Sequence, residues 1–283
     1  MKKAMAFLLC TVMTAGMLAG CGSKTAETTA STETAASTET AASTEGSGSE
    51  AAEKTSDKKW VVATDTVFKP FEYTNDQNEF VGIDVDLLAA IAEDQGFEYE
   101  LQSLGWDAGV AAVQAGQADA LIAGATIKQE RIDSGWIFSD GYYNATQTFV
   151  VSEDSDIASY EDLKGKNVAV KNGTAGADFA NSLKDEYGFT VTVFEDSPTM
   201  YQDVILGNSA ACVEDTPIMA ASIKEGNLAL KIPEGMESDG APYGLAINGR
   251  EKTRNCWICS TKDWKTSKQT VLTMSIIAKY LGE

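Results

Sequence analysis

The stretch AGATIKQERIDSGWIFSDGYY, residues 123–143, decides how this chain reads. Small residues open it with a turn, Thr126 follows, Arg131 stands five positions on, and Gly-Tyr-Tyr leads out. Exposed backbone N–H groups, a hydroxyl and a guanidinium at this spacing can converge on one carboxylate, because arginine offers a planar fork that matches two oxygens. The stretch reads as a carboxylate clamp beside a hinge. The plainer alternative, an arginine on a solvated helix start, is weighed by what flanks it.

Upstream, WVVAT at 60–64 is a short, β-branched apolar run closed by Asp65. That is a carboxylate at the C-terminal end of a buried strand, where open α/β sheets place ligand groups. Leu87, Leu88, Ile91 and Ala92 recur at helical spacing within 86–95, and Gly96 is a helix stop. A strand over 97–103, a helix over 106–116 and a strand over 118–124 follow. The order β-α-β-α-β is the pattern of an α/β sheet with parallel strands. Downstream, a strand over 146–152 opens a second alternation: strand 167–171, the turn NGTAG, helix 178–183, strand 190–195, helix 200–206 and strand 210–214. It closes on Asp215-Thr216-Pro217, with Pro217 suited to the first turn of a helix. APYGLAI at 241–247 reads as a strand-like return. Two α/β units joined by extended segments predict two lobes with a cleft between them.

The N-terminus carries an address. Met1-Lys2-Lys3 precedes an apolar run too short to span a bilayer, and Leu18-Ala19-Gly20-Cys21 resembles a bacterial lipobox. Residues 1–20 are thus expected to be a lipoprotein signal peptide. Cys21 is then the lipidated N-terminus of an exported, extracytoplasmic protein anchored to the membrane. Residues 21–57 are mostly Ser, Thr, Ala, Glu and Gly, with STETAA recurring from 31 to 42. So few large apolar side chains cannot offset ordering entropy, so a disordered tether is expected, with a reach of about 30–35 Å. Net charge is −20 and there is no histidine among 283 residues. The charge argues against nucleic acid and anionic lipid as partners. The missing histidine removes Ser-His and Cys-His catalysis and any His-ligated metal site.

Five segments, in order, resemble one family: VVATDTVFKPFEY, VGIDVDLLAAIA, AGATIKQER with FSDGYY, VAVKNGTAG, and EDTP. The chain is identified by them as a member of the extracytoplasmic amino-acid-binding proteins of ATP-binding cassette transporters (family 3 solute-binding proteins), nearest to glutamine-binding proteins, over about 58–247. The resemblance implies a two-lobed periplasmic-binding-protein type II fold, each lobe a mixed, mostly parallel sheet with flanking helices, and two hinge crossings. Lobe 1 would comprise 58–143 plus 243–283, and lobe 2 would be 144–242. It implies that Arg131 and Thr126 bind a ligand α-carboxylate, and that the Gly124 carbonyl and the Asp215 carboxylate take the α-ammonium. Phe68 and Trp106 would sandwich the aliphatic part. Asp65, Lys171 and the backbone near Thr174 and Ala175 would meet the ligand side chain. Ala175 and Glu214 depart from the glutamine-binding pattern, which carries Gly and His there. Lys171 argues against a basic ligand, and Glu214 and Asp65 against an acidic one, so a neutral polar side chain such as glutamine fits best. The implied partners are an amino acid, a membrane permease and, through the lipid, the membrane; no metal, cofactor or catalysis is implied. A dehydratase-like enzyme on the same fold, resting on Lys171, Glu214 or Asp215, and an amino-acid-sensing receptor module are the alternatives.

One stretch does not belong. Residues 253–275, TRNCWICSTKDWKTSKQTVLTMS, put two Cys, two Trp and a net +3 into an acidic, Cys-poor chain. With one choice of codons, restoring one A near Lys252 and removing one base near Ser275 turns it into NQELLDMFNKGLEDLKANGTYDE, of net −4. The chain then continues in register as IIAKYLGE. The restored string has helical spacing and an asparagine-glycine stop. A pair of compensating frameshifts is therefore expected, and Cys256-Trp257-Ile258-Cys259 is not read as a redox or zinc motif.

Overall fold

Residues 58–226, 228–249 and 267–282 are described in a computed structural model of the chain. The signal peptide, Cys21, the tether and residues 253–266 lie outside the described residues.

The first alternation folds around β1 (Lys59–Thr64), whose Val62 and Ala63 are fully buried. A small hairpin, β2 (Tyr73–Thr74) and β3 (Phe80–Val81), leads into α1 (Ile83–Gln95). The helix starts three residues before its apolar periodicity does. Gly82 at φ 144 delivers the chain there, where any Cβ would sit 2.0 Å from the Phe71 carbonyl oxygen. Asp84 and Asp86 occupy the first turn, where the helix dipole favours anions. Then follow β4 (Glu98–Ser103), α2 (Trp106–Gln114), β5 (Ala120–Leu121), the single-turn α3 (Gln129–Asp133) and β6 (Trp136–Phe138).

β7 (Tyr143–Ala145) runs into β8 (Gln147–Ser152), and the second alternation comprises β9 (Asn167–Lys171), α4 (Ala175–Tyr187), β10 (Thr190–Phe194), α5 (Ser197–Ile205), β11 (Ala211–Asp215), α6 (Thr216–Gly226) and β12 (Leu230–Lys231). α4 also begins earlier than its periodicity, at Ala175, because the Thr174 hydroxyl accepts the Ala177 N–H at 3.1 Å and caps it. β13 (Ala241–Tyr243), β14 (Ala246–Asn248) and α7 (Ser267–Leu281) complete the described chain.

Two five-stranded sheets result, ordered β4-β1-β5-β14-β6 and β10-β9-β11-β8-β12. In each, one strand runs against the other four: β14 in the first, β8 in the second. Each reversed strand directly follows a crossing between the sheets. The crossings are β7 and β13, which pair antiparallel with each other, Tyr143 opposite Tyr243. APYGLAI is therefore not one strand. It breaks at Gly244, whose N–H donates to the Ala125 carbonyl at 2.9 Å and where a Cβ would meet Ile127 at 2.8 Å. Its first half belongs to the hinge ladder and its second to the first sheet.

Strand alternation sorts the cores. Val62, Ala120 and Ile122 pack under α1 with Phe71, Leu88 and Ile276, while Ala63 and Leu121 pack under α2 with Val113 and Phe138. In the second sheet Val168 and Val170 face α4, and Ala169 faces α5. Among the described residues no helix is long and apolar enough to cross a membrane.

Candidate functional site

Strand C-terminal ends and loops from both sheets meet in one buried cavity. It is lined by Asp65, Phe68, Trp106, Ala123, Gly124, Thr126, Arg131, Lys171, Thr174, Ala175, Glu214 and Asp215. Every residue that the sequence points to for a ligand is there, and Ala123 is added. The free space is only about 20 Å³, room for about one water. An amino acid enters only when these walls part.

Arg131, on α3, lies with its guanidinium 4.9 Å from the Trp106 ring centre. Nη1 donates to the Thr126 carbonyl at 2.7 Å and Nη2 reaches across to the Gly173 carbonyl at 3.1 Å. The group is thus stacked and aimed before any anion arrives, and burial lowers its pKa from the usual value. Thr126 is held by bridging to Tyr243. Gly124 adopts φ +53, and a Cβ there would stand 2.4 Å from the Phe68 ring. Only glycine fits.

Opposite the clamp, Asp215 ends β11, buried at 7 % exposure. Its Oδ1 accepts from Gln147 Nε2 at 2.8 Å and its Oδ2 from the Tyr243 hydroxyl. Burial, then neighbouring Glu214, push its carboxyl up to about 7, against Tyr243 and Gln147. Glu214 lines the cavity too, yet its oxygens are already committed. Oε2 accepts from Ser197 Oγ at 2.7 Å and Tyr201 OH at 2.8 Å, and Oε1 accepts the Asp215 N–H at 2.9 Å. Glu214 thus lines the cavity and at the same time props Asp215, because α5 supplies two hydroxyls on its side of the strand.

Lys171, at the end of β9, pairs with Asp65 at the end of β1, so the two sheets are joined by an ion pair at 3 % and 4 % exposure. Burial works to lower the Lys171 pKa, but Asp65 and then Glu214 outweigh it and the pKa is raised. The ammonium also lies 5.4 Å from the Phe68 ring centre. Thr174 and Ala175 open α4 at the same wall, where the first N–H groups of a helix lack intrahelical partners. Around the rim, Asn172 Nδ2 donates to Asp107 at 2.8 Å, and Lys128–Asp178 and Lys69–Glu225 are ion pairs between the lobes.

Sequence reasoning passed over Tyr243 and Gln147, which hold Asp215, and Glu72 and Asp84, which lie behind Gly124. Glu72 and Asp84 stand inside quoted motifs, but a carboxylate turned inward has no local signature. Tyr243 is reached only once β13 is known to be a hinge strand.

Two α/β lobes, two crossings and a cleft lined from both sides define the class of two-lobed periplasmic-type ligand-binding proteins. Residues 60–273 match the family described as bacterial extracellular solute-binding proteins, family 3, and the chain belongs to it. It is 38% identical over 146 residues to the arginine-binding extracellular protein ArtP of Bacillus subtilis, a match covering 50% of this chain and 54% of that one. It thus spans about half the length of that relative. It is 31% identical over 218 residues to a probable histidine-binding protein of Neisseria gonorrhoeae, covering 74% of this chain and 79% of the relative. Among solved structures, it resembles the arginine-, lysine-, histidine-binding protein ArtJ of Geobacillus stearothermophilus with a TM-score of 0.70. That match is at 30% identity, over 80% of this chain and 96% of that one.

Proposed function

We propose that this protein captures a neutral polar amino acid, glutamine, in the cleft between its lobes and delivers it to the permease of an ATP-binding cassette transporter. It does so outside the cytoplasm, held at the membrane by a lipid on Cys21. A zwitterion needs both charges matched in a low-dielectric cleft, since an unpaired buried charge is costly. Arg131 with Thr126 answers the carboxylate, and Asp215 with the Gly124 carbonyl answers the ammonium. Phe68 and Trp106 enclose the methylenes. A few charge-assisted bonds at about 1.5–3 kcal/mol each, plus aromatic burial, reach about 8 kcal/mol, a micromolar affinity. A ligand held from both lobes stabilises the closed state over the open one.

The observation that carries the choice of glutamine is the buried Lys171–Asp65 pair. An amide side chain offers an oxygen to Lys171 and N–H groups to Asp65, whereas a guanidinium would face the Lys171 ammonium. The names of the relatives favour a second reading, a basic ligand that displaces Lys171 from Asp65. Calorimetry with the twenty amino acids decides between them. Glutamine is expected to bind most tightly, and tighter arginine binding would overturn the assignment.

A further inference from the structure

A second pair of acidic groups lies behind the Gly124 turn, away from the cavity wall. Asp84 in the first turn of α1 and Glu72 at the end of the turn begun by Phe68 are both at 0 % exposure. Asp84 Oδ2 accepts the Gly124 N–H at 2.8 Å. The two carboxyls adjoin closely enough that each feels the other, and Tyr142 is a further neighbour of Asp84. Among the described residues, no N–H or hydroxyl makes a hydrogen bond of normal geometry to Asp84 Oδ1 or to either Glu72 oxygen.

Two carboxylates here would repel each other and leave three acceptor oxygens bare in an apolar core, each costing as much as a lost hydrogen bond or more. One proton resolves both problems, because a carboxylic acid is also a donor. The surroundings say which group holds it. Burial, then Asp84 and Asp65, push the Glu72 carboxyl well above the usual carboxylate range, and Lys171 opposes them. Asp84 is pushed by burial only to about 7, since the Gly124 N–H, Tyr142 and Glu72 favour its anion.

We propose that Glu72 is a positioning residue that stays protonated at neutral pH and donates to Asp84, and that Asp84 in turn fixes the Gly124 turn so that the Gly124 carbonyl is aimed at the ligand ammonium. The last step rests on the proposed function. The turn leaves no room for a side chain, since a Cβ on Gly124, at its left-handed φ, would meet the Phe68 ring.

Two ligand-free measurements test the relay. Infrared difference spectra of Glu72→Gln against the unsubstituted protein at pH 7 and pH 8 are expected to lose one protonated-carboxyl band. Loss of a carboxylate band instead, or no change, overturns the proton on Glu72. Glu72→Leu removes the donor while keeping an apolar side chain of similar size, and amide exchange at Gly124 is expected to quicken by about tenfold, the equivalent of one hydrogen bond. Unchanged exchange overturns the positioning. Titration with L-glutamine and L-arginine then reads the effect on the site. Glu72→Gln, whose amide still donates, is expected to keep affinity within about twofold, and Glu72→Leu to lose about tenfold with melting temperature retained. Equal losses in both variants overturn the relay. If neither amino acid binds the unsubstituted protein, the ligand reading fails, while the infrared and exchange results still decide the relay.

Discussion

Asp215 is asked to be an anion in a place that resists anions. Burial and Glu214 hold its carboxyl near about 7 where the ordinary value is 3.8, so below neutrality a proton must leave before the group meets an ammonium. Affinity is therefore expected to be full above pH 7 and to fall as pH drops below it, by up to about tenfold per unit. Binding should release a proton, which calorimetry in buffers of different ionisation enthalpy measures. A flat profile without proton release would count against Asp215 as the ammonium acceptor. For stability the sign is opposite: the folded state holds a proton that the unfolded chain gives up, so this contribution is fully present below 3.8 and is lost as pH rises through about 7. Arg131 and Lys171 divide the remaining work. Replacing Arg131 with Ala is expected to weaken every amino acid by about a hundred- to ten-thousandfold, two charge-assisted bonds, whereas Lys171→Ala should mainly change which one binds. Equal losses across the panel for both variants would sink this division.

At the scale of elements, α7 is the informative case. Its C-terminal half packs: Ile276 is 9 % exposed in the core beneath α1, with Ile277, Tyr280 and Leu281 against it. The turn just before it does not, since Val271, Leu272 and Met274 are 66 %, 41 % and 65 % exposed. The change falls where the second frameshift is expected, at Ser275. The restored string corresponds to Val271→Gly, Leu272→Thr and Met274→Asp, replacing all three bare apolar side chains with small or polar ones. Resequencing the gene is expected to show the base changes, and an unbroken printed frame would refute them. In the printed chain, Ile276→Ala is expected to cost about 2–4 kcal/mol and Met274→Asp less than about 0.5 kcal/mol in denaturant melts. A substantial loss at Met274 would mean that the printed helix is packed after all.

At the scale of the whole molecule, closure is held by contacts that differ in kind. Lys171–Asp65 is buried, and removing one partner of such a pair costs about 3–5 kcal/mol. Lys69–Glu225 and Lys128–Asp178 keep substantial solvent exposure, and such pairs contribute about 0.2–1 kcal/mol each, less in salt. Removing Lys69 and Lys128 together is expected to weaken apparent affinity by about two- to thirtyfold and to expand the ligand-free protein in small-angle scattering. Unchanged affinity and dimensions would show that the rim pairs do not bias closure.

How much was legible follows from range. Gly96, Pro217 and the apolar spacing of α1 act within a few residues, so the alternation of strands and helices can be read along the chain. Arg131 and Thr126 stand out by their spacing after a small-residue turn, and Asp215 by the resemblance that EDTP carries. The inward turn of Glu214 was not legible, since it depends on Ser197 and Tyr201 arriving from α5. Nor was the break of APYGLAI, because local pattern cannot say that its two halves join different sheets. The sequence by itself determined the α/β alternation and the doubling into two lobes, consequences of local propensity and periodicity, and its resemblance to a family supplied the candidate residues. Only the tertiary structure decided which carboxylates face the cleft and which support it. It also set Lys171 on Asp65 and Glu72 behind Gly124, because these pairings join residues distant in sequence, and burial together with the neighbouring charges fixes their ionisation.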